Sequence, residues 1–122
     1  MPEPVAEQVV VFHNPRCSKS RGALEILVDR GVDADVVEYL KAPPDRPTLE
    51  RIVDAIPDPP AALVRDDARF KELGLSKRDY ESRDAVVALL LEHPELMERP
   101  VVFVGDRAVI ARPSERVLAL LD

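Results

Sequence analysis

The first forty residues carry the pattern that most narrows the possible folds. Residues 8–12 are a short continuous apolar run, the mark of a strand buried on both faces. A helical stretch over residues 18–30 follows, with Leu24, Leu27 and Val28 on one stripe and Gly31 where a helix C-terminal glycine is expected. Residues 35–40 read as a second strand, so the segment is a β-α-β unit. Two strands joined by such a crossover lie parallel, with right-handed connection, and the rest of the chain must add to that sheet.

Residues 42–47, Ala-Pro-Pro-Asp-Arg-Pro, break the chain. The segment at about 43–97 then reads as a helical insert without a strand. Leu49, Ile52, Val53 and Ile56 mark one amphipathic helix starting near Thr48, and residues 82–92 mark another, rich in Val and Leu. Shorter helical pieces are expected at residues 61–65 and 70–75. Two strands at 101–104 and 108–111, joined by Gly105-Asp106-Arg107, make a hairpin, and a last helix opens at Pro113. The expectation is one α/β domain over 1–122 with a mixed four-stranded sheet in the order β-α-β, helical insert, β-β-α.

Cys17 is the only cysteine among 122 residues, so neither an internal disulfide nor a four-thiolate metal site is available. It stands where the first strand gives way to the first helix. Every formal charge within four residues of it is positive, from Arg16, Lys19 and Arg21, and His13 lies four residues before it. A helix N-terminus and nearby cations lower a thiol pKa and make the reactive thiolate available. A structural cysteine would sit instead on an apolar stripe.

The net charge of −6 argues against nucleic-acid binding through a broad basic face. No apolar run approaches the roughly 20 residues that span a bilayer, so no membrane segment is expected. Residues 1–8 are short and acidic, unlike a secretory or transit signal, and are expected to be a frayed lead-in. With one cysteine, a reducing, cytoplasmic location is the default. Of the 17 basic residues 13 are arginine, whose planar fork suits tetrahedral oxyanions. Abundance alone decides nothing, so position must carry the argument.

The runs His13-Asn14-Pro15-Arg16-Cys17-Ser18-Lys19-Ser20-Arg21, Tyr39-Leu40-Lys41-Ala42-Pro43-Pro44, Ala62-Leu63-Val64-Arg65, Arg99-Pro100-Val101-Val102 and Ala111-Arg112-Pro113-Ser114-Glu115 come in the order seen in one family. Over nearly its whole length the chain resembles the glutaredoxin-dependent arsenate reductases, which have a thioredoxin-like fold. The resemblance implies that Cys17 is the nucleophile that attacks arsenate and that His13 influences its thiolate. It implies further that Arg65, Arg99 and Arg112, with the motif's Arg21, hold the oxyanion. It also implies a cis bond before Pro100, with Arg99 beside the sulfur.

Each residue keeps a plainer alternative. Arg65 could pair with Asp66 or Asp67 at the surface, Arg112 could cap a turn, and His13 could be a solvated residue at a strand end. Ser20 replaces any second thiol of a Cys-x-x-Cys pair, so reduction needs outside partners. The resemblance implies a low-molecular-weight thiol co-substrate, glutathione or another such as mycothiol, and a glutaredoxin-like reductant. It implies no bound metal, flavin or nucleotide, and a monomer is expected. Two rival readings share the fold: an Spx-type thiol-sensing regulator that binds RNA polymerase, and a relative acting on something other than arsenate.

Overall fold

The computed structural model of the protein describes residues 8–121. The lead-in expected at residues 1–8 therefore lies outside the described residues except for Gln8. Strand β1 (Val9–His13) is followed by helix α1 (Ser18–Asp29) and strand β2 (Asp35–Glu38). Helices α2 (Arg46–Ala55), α3 (Ala68–Glu72) and α4 (Arg83–Glu92) come next, with 3-10 turns at Pro60–Leu63, Lys77–Asp79 and Pro94–Leu96. Strands β3 (Val101–Val104) and β4 (Arg107–Ile110) form the hairpin, and a 3-10 turn at Ser114–Val117 leads into α5 (Leu118–Leu121).

The sheet order is β2-β1-β3-β4. β1 and β2 are parallel with His13 opposite Glu38, while β1/β3 and β3/β4 are antiparallel. The sheet is thus mixed and four-stranded, as the sequence pattern predicts. Side chains alternate across it, as strand geometry requires. Val9, Val11, Val102, Val104 and Val109 face one way and pack with Ala23, Leu27, Val117 and Leu120 from α1 and the C-terminal segment. Phe12, Val101, Phe103 and Ile110 face the other way, against Leu49 and Ile52 of α2 and Val86 and Leu90 of α4.

Element boundaries depart from the sequence pattern in informative places. β1 runs one residue further than expected and takes in His13, whereas β2 ends at Glu38, leaving Tyr39 and Leu40 in a turn. Helix α2 begins at Arg46, two residues before Thr48. Pro47 does not break it, because first-turn N–H groups need no helical partner, and Asp45 caps it by accepting from the Thr48 N–H at 3.0 Å. Asp67 and Ser82 cap α3 and α4 in the same way, accepting from Phe70 and Ala85 N–H groups.

One close approach fixes how α1 meets the C-terminal segment. A Cβ built on Gly22 would lie 2.8 Å from Ser114 Oγ, so only glycine fits there without displacement. The Ser114 hydroxyl donates to the Lys19 carbonyl at 2.8 Å. The start of α1 and the end of β4 are thereby pinned together.

Candidate functional site

Cys17 is the N-cap of α1 and is half-buried. The loop before it is held by local hydrogen bonds. Asn14 Oδ1 accepts from the Arg16 N–H at 3.0 Å, the Cys17 N–H donates to the Asn14 carbonyl at 3.0 Å, and the Asn14 N–H donates to Ser20 Oγ at 3.1 Å. Ser20 is fully buried, so the position that could have carried a second thiol instead anchors the loop.

The Cys17 thiol pKa is held down to about 7. Burial alone would raise it. The Ser20 N–H, the Arg99 guanidinium, the Lys19 N–H and Arg112 overcome that effect by favouring the thiolate. Arg112 donates from Nη1 to Cys17 Sγ at 3.6 Å and to the Arg99 carbonyl at 3.0 Å. The Arg99–Pro100 bond is cis, in keeping with the resemblance, and the Arg112–Pro113 bond, for which the sequence suggested nothing, is cis as well.

Arg65 reaches the same corner by another route. Its N–H donates to the Leu96 carbonyl at 2.7 Å beside a lone bridge between Val64 and Met97, which ties the insert to the approach of β3. Lys77 Nζ donates to the Ala61 and Val64 carbonyls and closes the turn beneath. The Arg65 side chain is only 18% exposed, and it pairs with Asp67 at 3.1 Å and Glu98 at 3.3 Å rather than spreading over the surface. Glu98 also pairs with Arg112 at 3.7 Å. One carboxylate therefore links two of the arginines that the sequence singled out.

Tyr39 and Glu98 belong to this corner and were given no role in the sequence reading. Tyr39 is fully buried, and its hydroxyl lies beside the Arg99 guanidinium and the Asn14 side chain without bonding geometry to either. Burial raises its pKa, so the phenol stays protonated and available as a donor. The signals for both were present: Tyr39 opens a quoted motif, and Glu98 is the acid directly before Arg99. The buried side-chain polar atoms without a partner among the described residues are the Tyr39 hydroxyl, Arg99 Nε and His13 Nδ1. Buried polar groups are ordinarily satisfied, so the unpartnered Tyr39 hydroxyl and Arg99 Nε, beside each other and with Arg99 against the thiol, mark a ligand site.

His13 and Arg21 are not among the groups that most favour the Cys17 thiolate. His13 is 7% exposed, and burial lowers its pKa, with Glu38 working against the shift and Arg21 with it. The largest influences on Cys17 do not include it. Arg21 lies exposed one turn along α1, where its N–H donates to the Cys17 carbonyl and its charge acts on His13. Among the described residues no group of three or more His, Cys, Asp or Glu side chains could hold a metal, and no helix is long and apolar enough to cross a membrane.

The arrangement is a low-pKa thiolate facing forked cations, and proteins of known kind share both the sequence and the fold around it. An arsenate reductase of Neisseria meningitidis is 42% identical over 117 residues, covering 93% of this chain and 98% of the relative. The uncharacterized protein YfgD of Escherichia coli is 39% identical over 96% of this chain and 99% of its own length. Among solved structures, an arsenate reductase from Vibrio cholerae superposes with a TM-score of 0.81 at 38% identity, covering 93% of this chain and 98% of that one. A family model described as the ArsC family matches residues 12–120, nearly everything from the end of β1 to α5, and the chain belongs to that family.

Proposed function

We propose that the protein is an arsenate reductase in which Cys17 is the nucleophile. The observation that supports this most is the approach of Arg112 Nη1 to Cys17 Sγ at 3.6 Å in a site where the thiol pKa is about 7. Near neutral pH about half of such a thiol is thiolate, and a thiolate approaching a doubly negative oxyanion needs converging cations to offset repulsion. Arg99 and Arg112 face the sulfur, and Arg65 is joined to Arg112 through Glu98. The arsenate reductases of Neisseria meningitidis and Vibrio cholerae supply the substrate class.

In this reading Cys17 displaces hydroxide from arsenate and forms a sulfur–arsenic bond. The arginines, the first-turn N–H groups of α1 and the Tyr39 phenol stabilise the charge that builds on the arsenate oxygens and the departing hydroxide. Two external thiol equivalents then resolve the adduct. They give up two electrons and two protons and end as a disulfide, while the sulfur–arsenic bond breaks, Cys17 returns as the free thiol, and arsenic takes the pair and leaves as arsenite. A low-molecular-weight thiol such as glutathione supplies one equivalent and a glutaredoxin-like partner the other, because Ser20 leaves the chain without a resolving cysteine. The work is assigned to a monomer in the reducing cytoplasm, with His13 and Arg21 shaping the potential around the thiolate.

Arsenite production by the purified protein tests the proposal, with glutathione plus glutaredoxin in one arm and mycothiol plus its redoxin in another. Cysteine-dependent turnover in one arm is expected. No turnover in either, with Cys17 still alkylated rapidly, would overturn the reductase reading.

A further inference from the structure

An acid stands among the arginines that gather at the sulfur. Glu98 is fixed there from its backbone, whose N–H donates to the Leu63 carbonyl at 2.7 Å, and its side chain is only 24% exposed. Arg65 Nη1 donates to Glu98 Oε1 at 3.3 Å, whereas Oε2 meets Arg112 Nε at 3.7 Å, an ion-pair distance beyond hydrogen-bond length. The same guanidinium presents Nη1 to Cys17 Sγ at 3.6 Å, so the carboxylate and the sulfur share one cation. A carboxylate in this position repels an incoming dianion and neutralises part of the positive charge that would hold it. A pocket for a fully ionised oxyanion would need donors alone. The Tyr39 hydroxyl and Arg99 Nε, both buried and without a partner among the described residues, already supply them.

We propose that Glu98 makes the pocket selective for tetrahedral oxyanions that keep a proton: Oε2 accepts a hydrogen bond from the anion's O–H group while Arg99, Arg112 and Tyr39 donate to its ionised oxygens. An ionised carboxylate can only accept. Against a protonated oxygen it gains a charge-assisted hydrogen bond, one of the stronger kinds. Against an oxygen without a proton it sets two acceptors face to face and leaves both unsatisfied. Near neutral pH arsenate and phosphate carry at least one proton and sulfate carries none, although all are tetrahedral and their dianions bear the same charge. Shape and charge therefore cannot separate them, and one acceptor among the donors can. Discrimination of this kind comes from a repulsive element set against the wrong ligand. The inference rests on the reading of the corner around Cys17 as an oxyanion site and names the class of anion it takes, but its test needs no arsenate turnover.

Alkylation of Cys17 by iodoacetamide is followed in the full-length protein at a pH just above the thiol's pKa of about 7, with rising phosphate, arsenate or sulfate at constant ionic strength. An anion seated on the arginines shields the sulfur, so the concentration that halves the rate reports its affinity. Phosphate and arsenate should protect the wild type at concentrations at least about tenfold lower than sulfate, the scale set by one hydrogen bond gained against one acceptor left unpaired. Glu98→Gln, whose amide offers N–H donors, should tighten sulfate by about fivefold or more and weaken phosphate, closing the gap. A carboxylate that merely braces Arg65 and Arg112 would act differently, since its loss would move every anion in the same direction. Sulfate protecting the wild type as well as phosphate does, or Glu98→Gln shifting sulfate and phosphate alike, would overturn the proposal. The wild-type comparison needs no variant, so it decides the matter even if Glu98→Gln folds poorly. Failure of arsenate turnover with the preference for protonated anions intact would remove the reductase reading and keep the assignment of Glu98; turnover without that preference would do the reverse.

Discussion

At the scale of single residues, the chemistry turns on how one sulfur is charged. With a pKa near 7, alkylation of Cys17 by iodoacetamide should rise through about pH 7 instead of the 9.0 of an unperturbed thiol. Arg112→Ala removes one of the influences that favour the thiolate, so the midpoint should move upward. The same variant should lose roughly 3 to 4 kcal/mol of transition-state stabilisation, a 10²- to 10³-fold fall in arsenate turnover, as losing an oxyanion donor does elsewhere. Steady-state kinetics would check this, and near-normal turnover in Arg112→Ala would contradict the pocket. Cys17, Arg65, Arg99 and Arg112 were legible in the sequence because motifs carry them. The Glu98 link between Arg65 and Arg112 was not, since it depends on a bridge between Val64 and Met97 that no local pattern encodes.

At the scale of elements, the start of α1 is the part on which the site depends. It is tied to the C-terminal segment through Ser114 and to its own loop through Ser20. Gly22→Ala should force that contact apart and cost about 1 to 3 kcal/mol, the usual range for overpacking a close approach. Urea denaturation would measure it, and Gly22→Ala combined with Ser114→Gly should recover part of the loss. Helices and strands were readable from apolar periodicity, but their ends were not always so. Pro47 looked like a stop and is a first-turn residue of α2, while β1 extends to His13 because its partner β2 extends to Glu38.

At the scale of the whole molecule, the sheet carries an apolar layer on each face, and stability and chemistry can be separated. Leu90, 1% exposed on α4, lies in the layer away from α1. Leu90→Ala should lower unfolding free energy by about 2 to 5 kcal/mol while leaving turnover per folded molecule nearly unchanged. The thiol couples the two properties through pH. Its pKa falls from 9.0 to about 7 on folding, so the stability it adds is fully present above pH 9 and is lost as pH falls through 7. Denaturation of the wild type against Cys17→Ser should show that difference growing from pH 7 to 9. The central claim, that one cysteine attacks arsenate, is tested most directly in a single turnover. Protein is mixed with less than one equivalent of labelled arsenate, the external thiols are added, and arsenite is counted. Prompt conversion by the wild type and none by a folded Cys17→Ser variant is the predicted result; equal conversion by the two proteins would contradict it.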